Sequence, residues 1–584
     1  MKRNWKRILA CFLVSVMMLN SFTSYAGELD LTAEEKVEEA VVDEVAENLI
    51  EDVIVKDDSI DEYDAVIEEI IEDEETVDDD VIGKEDNADD RGDFEGEEII
   101  EDIEPEDATD SEAEFDHVID YDHVDNGLIN IDYEPDDVLP SENTKKAALP
   151  SKYESPYATS VKNQRSYGTC WSFASNGAAE ASMKKQGLID KPNFSEWALA
   201  YFIFHNPSSW PNAVQELSGD DYSYLPGSYD NSWWNNGGNQ LWAAMFFSAW
   251  RGVANESQAV YPYSTGDGSG EVESKKTSPY VPDDDACNNI SAKLVNARFL
   301  PYGSSTNYDL IKRYITEYGS IAVSYYQSSL TKKTLNGETY WEVDSYKNQT
   351  TSNHSVLCIG WDDDKKAWLI KGSYGSTYSY SNNGYYWLPY DNPSIDDWTA
   401  MQFTSPDAYD FNYHYDGDCI FTTQSLDDKS QIGNIYPVLG TANTYQQIEA
   451  VNVGIQTSNT NFTVDIYTSD TKMAKPTDGT KAAGTASGTT DASGLYTVKL
   501  STPVRVKVGT YFSVVVTLDF PGTADGQVFV DQTYSYSNHV YKNTAVAGES
   551  MDYEPSYGNW YDGTKYSRPL TYRIKAFTNK LNNG

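Results

Sequence analysis

Val161-Lys-Asn-Gln-Arg-Ser-Tyr-Gly-Thr-Cys-Trp-Ser-Phe173 closes a polar loop and opens a segment in which Ala174, Ala178, Ala179 and Met183 lie at helical spacing. The spacing predicts a helix over 172–187 and puts Cys170 at or next to its N-terminus. Unpaired N–H groups and the helix dipole favour negative charge there, so a thiol in that place ionises more readily than a free one. Gln164, six positions upstream, can fold back and offer a side-chain N–H to an oxygen beside the sulfur. A lone cysteine is more often packing than chemistry; the glutamine and the tryptophan around this one favour chemistry.

A thiol nucleophile needs a base, and the chain has six histidines, two of them (His117 and His123) in an acidic tract. Asn353-His354-Ser355-Val-Leu-Cys-Ile-Gly360-Trp361 is an apolar strand with a histidine at its mouth. Imidazole can take the thiol proton, pair with the thiolate and later protonate a leaving amine.

Together these segments resemble the papain-like cysteine proteases, in which a Gln precedes the nucleophilic Cys by six positions and Trp follows it. Asn235-Asn-Gly-Gly-Asn239 resembles that family's glycine-rich strand, where a peptide substrate pairs by strand addition. Val260-Tyr-Pro-Tyr263 and Ala367-Trp-Leu-Ile-Lys371 also match the family, in the same order. The resemblance spans about 150–405. It implies catalysis by Cys170 and His354 with Gln164 in the oxyanion hole, substrate contacts at Gly237, Gly238 and Tyr374, and no required cofactor. Two departures stand out. Tyr167 occupies the place of the family's first cysteine. After Lys371, where the family has Asn-Ser-Trp-Gly, this chain has Gly372-Ser-Tyr-Gly375, so the residue that orients the histidine is lost. Tyr374 can still supply an aromatic cover, and water or a backbone carbonyl could fill the gap at Gly372. The favoured reading is a slowed endopeptidase; the alternative is an inactive scaffold displaying a glycan- or wall-binding domain.

Helical segments (172–187, 195–205, 241–251) precede strands (321–325, 354–361, 367–371, 385–390) between 148 and 408. That order predicts an α+β, two-lobed fold with a helical lobe and a β-rich lobe. From 411 to 580 the pattern becomes short β-rich segments separated by turns such as Pro476-Thr-Asp-Gly479, which predicts an antiparallel β-sandwich. Tyr415-Asp-Gly-Asp418, a hairpin over 503–516 and Arg573-Ile-Lys-Ala-Phe577 resemble the lectin-like domain that follows papain-like domains in some clostridial surface proteases. Tyr534, Tyr536, Trp560 and Tyr561 could stack on sugar rings; a purely structural partner domain is the equal alternative. Asp416 with Asp418, and Asp362-Asp363-Asp364, could take Ca²⁺, although neither has a specific ligand spacing.

The first 26 residues read as a signal peptide: Lys2, Arg3, Lys6 and Arg7, then the apolar run Ile8 to Leu19, then Ser24-Tyr-Ala26. Secretion or cell-surface association is expected, with no membrane span and a monomeric chain. Residues 27–140 hold 49 Asp and Glu against 4 Lys and Arg, so most of the net charge of −52 belongs to this tract. It cannot bury enough apolar surface to fold alone, and 27–147 reads as a spacer, a pro-segment or a Ca²⁺- or wall-binding arm. The acidic balance, without a basic patch, disfavours nucleic acid. Cys287–Cys419 is the one disulfide considered, with Cys358 buried and free.

Overall fold

The computed structural model describes residues 148–206, 222–225, 227–262, 278–300, 307–345, 352–416, 422–535 and 540–581. The expected signal peptide, the acidic segment, Tyr263, Gly417, Asp418, Cys419 and Tyr536 lie outside the described residues, and of Tyr534 only the backbone is described.

The two-lobed part is organised around the His354–Asp362 strand, all nine residues of which are buried. Both of its faces are covered, which explains its nearly unbroken apolar character. Leu357 and Ile359 enter the core formed with the helices Cys170–Lys185, Glu196–Phe202 and Gln240–Ser248. Val356 and Cys358 face the opposite core, against the helix Tyr308–Tyr318. A bulge between Cys358 and Gly360 then reverses the alternation, so Trp361 joins Cys358 on the same side. The helix Cys170–Lys185 crosses this strand closely because its contact residue is Gly177: a Cβ there would lie 3.0 Å from Leu357 Cδ2.

Helix starts follow their capping chemistry. Ser195 accepts from Ala198 N–H and Asn239 from Trp242 N–H, each satisfying a donor that the first turn leaves open. The Asn235–Asn239 segment, expected as a strand, is instead irregular chain leading into the Asn239 cap. The helix Tyr308–Tyr318 and the strands Lys293–Leu300, Leu330–Leu335, Glu338–Val343 and Trp398–Thr404 add to the elements anticipated.

The C-terminal part is a β-sandwich. One sheet contains Phe411–Tyr413, Ile574–Leu581, Tyr445–Ile455 and Ser493–Lys507; the other runs Thr480–Thr489, Asn461–Ser469, Tyr511–Asp519, Gln431–Pro437, Ser550–Tyr553 and Trp560–Asp562. Along Asn461–Ser469, Phe462, Val464 and Ile466 are buried between the sheets while Asn461 and Thr463 face out. Two expectations change. Leu495–Leu500 and Val504–Val506, which read as two short β segments in the sequence, are one strand, because the register jumps from Lys499 to Val504 opposite a single bulge at Ile448/Ala450. The expected 503–516 hairpin is a crossover, since Ser493–Lys507 and Tyr511–Asp519 belong to different sheets.

The first sheet does not stop at the domain boundary. Lys293–Leu300 pairs with Trp398–Thr404 on one edge and with Ser493, Gly494 and Leu495 on the other, so one hydrogen-bonded sheet runs through both parts. Gly494 permits this approach: a Cβ there would lie 2.3 Å from Ala297 O.

Candidate active site

The loop before the first long helix is fastened from three sides. Gln164 N–H donates to Ser373 O at 2.7 Å, and Gly375 N–H donates to Lys162 O at 3.0 Å. The buried Tyr261 hydroxyl donates to Gln164 O at 2.9 Å and lies 2.6 Å from Thr169 Oγ1, so Thr169 is the donor in that second contact. Burial raises the Tyr261 pKa well above its usual range, which keeps this phenol a neutral donor. Held in this way, the loop delivers Cys170 as the first residue of its helix, one residue after Thr169.

The strand mouth comes to meet it. Ser355 N–H donates to Cys170 Sγ at 3.4 Å, so the sulfur abuts the backbone next to His354. Both Cys170 and His354 are buried. The His354 ring stacks on Tyr374, with centroids 5.1 Å apart and planes within 9°, and meets Tyr325 edge-on at 6.0 Å. Tyr325 is the cross-strand partner of His354, so backbone register fixes this second contact.

Gln164 is fully buried. Its Nε2 donates to Tyr167 O at 2.9 Å, and its Oε1 accepts from the Ser373 hydroxyl. An amide has two N–H bonds, so the Tyr167 contact uses one and leaves the other for an oxygen beside the sulfur. The Tyr167 contact also fixes which end of the amide is nitrogen, because a carbonyl oxygen only accepts. Ser373 and Ser355 were not singled out from the sequence, although each directly follows a residue that was.

A buried charge cluster stands behind the loop. Lys162 Nζ lies 2.9 Å from Glu180 Oε1 and 2.8 Å from Glu196 Oε1, and donates to Phe194 O at 2.8 Å. Thr159 Oγ1 donates to Glu180 Oε2, and Lys371 Nζ donates to Thr159 at 2.9 Å. Burial would raise the Glu180 pKa, but Lys162 and Lys371 outweigh it and hold the carboxyl below its ordinary value.

The remaining expected residues fall as follows. Gly238 lies against the indole of Trp171, where a Cβ would be 2.4 Å from ring carbon, so only glycine permits that approach beside Cys170. Gly237 is buried next to it. At Gly372 a Cβ would lie 2.9 Å from Cε1 of the buried Tyr386 and 3.3 Å from Gly384 O, so a tyrosine ring and a backbone carbonyl both adjoin this position.

Residues 235–397 match the family model described as papain family cysteine protease, and residues 413–578 match the lectin like domain model. The chain carries a papain-family cysteine protease domain followed by a lectin-like domain. The protease match begins after Cys170, so the nucleophile loop rests on its geometry here. Mouse cathepsin K is 26% identical over 235 residues, covering 39% of this chain; the chain spans only 55% of that relative's length. Two solved structures of Cwp84 share the fold. One, described as a clostridial cysteine protease after propeptide cleavage, has a TM-score of 0.54 at 19% identity, covering 73% of this chain and 97% of its own. The other, the cysteine protease and lectin-like domains of a surface layer associated protein of Clostridium difficile, has a TM-score of 0.54 at 20% identity, covering 74% and 90%.

In the lectin-like domain, of the two carboxylates considered for Ca²⁺ only Asp416 is described. Asp416 is buried against Arg573 Nη1 at 3.0 Å and against Lys575 Nζ, so cations of the chain itself neutralise it; Asp418 lies outside the described residues. Asp362 pairs with Lys365 at 3.0 Å and Lys152 at 3.2 Å, and Asp363 with Lys312 at 2.6 Å. Among the described residues no group of three or more His, Cys, Asp and Glu could hold a metal ion. Trp560 and Tyr561 are neighbours on one strand of a hairpin; Trp560 packs on Tyr553 and Tyr561 on Tyr566, so they do not form one stacking platform. Cys358 is buried and free, its thiol pKa raised by burial. Among the described residues no helix is long and apolar enough to cross a membrane.

Proposed function

We propose that this chain is a secreted cysteine endopeptidase. Cys170 thiolate attacks the scissile carbonyl, forming a C–S bond and an oxyanion. The second Gln164 N–H and the Cys170 backbone N–H stabilise that oxyanion. His354, as imidazolium, protonates the leaving amine as the C–N bond breaks; neutral His354 then takes a proton from water, whose oxygen displaces the Cys170 thiolate from the thioester and restores the thiolate–imidazolium pair. The observation that carries this reading is the 3.4 Å contact between Ser355 N–H and Cys170 Sγ, which sets the thiol against the residue adjoining the base and supplies a donor to a thiolate. Gly237 and Gly238 line the approach of a peptide strand, with Tyr374 on the far side of His354. No step requires a cofactor.

The lectin-like domain favours carbohydrate as a second ligand class, and the surface-layer association stated for Cwp84 makes a cell-surface setting the natural one. The apolar run after Lys2 to Arg7 agrees with export.

The test is hydrolysis of an unstructured protein such as casein under reducing conditions, beside Cys170→Ala. The expected result is cleavage that Cys170→Ala abolishes. Cleavage retained by Cys170→Ala, or none by the parent while it folds, overturns the reading. Fractionating a producing culture tests export: accumulation of uncleaved chain inside the cell contradicts it.

A further inference from the structure

The position of the missing orienting side chain is already filled. Gly372 directly follows the strand Ala367–Lys371, and its N–H donates to Gly384 O at 2.9 Å. A Cβ built there lies 2.9 Å from Tyr386 Cε1, 3.3 Å from Gly384 O and 3.6 Å from the Tyr386 hydroxyl. Any side chain at 372 would therefore meet the Tyr386 ring at its first carbon, with the Tyr386 hydroxyl close by.

That oxygen belongs to a buried polar cluster that reaches the histidine through the Tyr325 ring. Tyr386 and Tyr325 hydroxyls are 2.9 Å apart, and both approach Gln327 Oε1, Tyr386 at 3.4 Å and Tyr325 more closely. Gln327 is held in turn: its N–H donates to Asn353 Oδ1 at 2.6 Å and its Nε2 to Ser328 O at 2.9 Å. Gln327 Oε1 only accepts, so each phenol spends its single proton inside the cluster, and lone pairs of phenolic oxygen remain. Burial raises the Tyr325 pKa well above its usual range, so this phenol keeps its proton throughout the working range. Tyr325 carries the cluster to the base, because its ring meets the His354 ring at 6.0 Å.

We propose that Tyr386, locked by Tyr325 and Gln327, is the positioning residue for His354 and takes over the role vacated at position 372. The Tyr325 ring, held by this cluster, meets one side of His354 edge-on while Tyr374 stacks on it at 5.1 Å, so the imidazole plane is fixed between them. The proposal rests on the Cys170–His354 reading. It makes position 372 and position 386 a linked pair: a side chain at 372 must displace the Tyr386 ring.

The experiment compares the parent full chain with Tyr386→Phe, Gly372→Asn, Tyr386→Leu and the Gly372→Asn/Tyr386→Leu double variant. Two readouts are taken across pH: peptide turnover, and the rate at which iodoacetamide alkylates Cys170. Tyr386→Phe keeps the ring and removes only the hydroxyl. It should lower kcat about tenfold or more with KM little changed, and displace the alkylation profile, since the ring that pairs with the thiolate is no longer held in plane. Gly372→Asn alone should be slower than the parent, and the double variant faster than either single one. A Tyr386→Phe enzyme with parental kcat and parental alkylation profile overturns the proposal, as does a Gly372→Asn enzyme faster than the parent. The alkylation profile reads the ion pair without a substrate. A shifted profile without turnover in any form would retain Tyr386 as the positioning residue and refute the endopeptidase, whereas turnover with an unshifted profile would refute Tyr386 alone.

Discussion

The Arg298 guanidinium lies 3.5 Å from the centre of the Tyr496 ring, a protease-side cation seated on a lectin-side aromatic. Arg298 also reaches Asp491 at 3.3 Å and donates to Leu495 O at 2.8 Å, directly beside the strand pairing that joins the domains. Phe299 meets Phe529 edge-on at 5.7 Å, and Leu495 and Phe529 belong to the same apolar core as the helical lobe. A hydrogen-bonded sheet and a shared core couple two bodies far more firmly than a flexible linker does.

The two domains should therefore unfold together. Urea denaturation followed by tryptophan fluorescence and by far-ultraviolet circular dichroism should give coincident single transitions. Arg298→Ala leaves Asp491 without its cation and Leu495 O without its donor, and should cost about 3 kcal/mol. Two separated transitions in the parent chain would contradict a continuous sheet.

A pH effect should come from the lectin-like domain. Burial first, and Lys575 next, push the His414 pKa down to about 3, against the pull of Asp416; Arg251 acts in the same direction as Lys575. Its Nδ1–H donates to Asp416 O at 2.6 Å, which the neutral ring can do. The unfolded histidine binds a proton near its ordinary value of about 6.5. Between about 6.5 and about 3 the unfolded chain thus holds the extra proton, and stability falls as pH falls, by up to about 1.4 kcal/mol per pH unit. Above about 6.5 this contribution is fully present. Asp416, held low by Lys575 and Arg573 despite burial, loses its stabilising charge in the same acid direction. His414→Asn should flatten the acid limb of the urea midpoint measured between about pH 7 and about pH 4; an unchanged limb would show that another group controls it.

The Lys162 cluster makes a different prediction, because breaking a buried ion set costs more than the set itself contributes. Lys162→Met would strand Glu180 and Glu196 in the core, both of them buried beside the nucleophile loop. A loss of about 3–5 kcal/mol is expected, seen as a lower urea midpoint. Partial recovery in Lys162→Met/Glu180→Gln/Glu196→Gln would identify the stranded carboxylates as the cause. A single variant as stable as the parent would contradict that account.

Much of this architecture is written locally. Ser195 and Asn239 announce their helices, and the alternation in Asn461–Ser469 announces a sheet face. The encounter of Cys170 with the His354 strand could be anticipated only through family resemblance, since 184 positions separate them in sequence. What stayed hidden depends on register and on side chains arriving from elsewhere. Nothing near Leu495 signals that its strand will pair with Lys293–Leu300, and the jump from Lys499 to Val504 makes one strand look like two. Gly372 reads as a vacancy because Tyr386, which fills it, is fourteen positions away on the next strand.

Ser373 offers the finest probe of the oxyanion donor. Its hydroxyl donates to Gln164 Oε1, while Gln164 Nε2 is tied to Tyr167 O, so the amide is held at both ends. Removing the whole donor with Gln164→Ala should lower kcat by about 10²–10³ with little change in KM, because the oxyanion exists only along the reaction path. Ser373→Ala leaves the donor in place and releases only its orientation, so a smaller loss is expected, of about tenfold. The two losses should not add: with Gln164 absent, Ser373 has no amide to hold, and Gln164→Ala/Ser373→Ala should match Gln164→Ala. Ser373→Thr keeps a hydroxyl and should recover part of the loss. Independent, additive losses would mean that Ser373 acts on the reaction by some route other than Gln164.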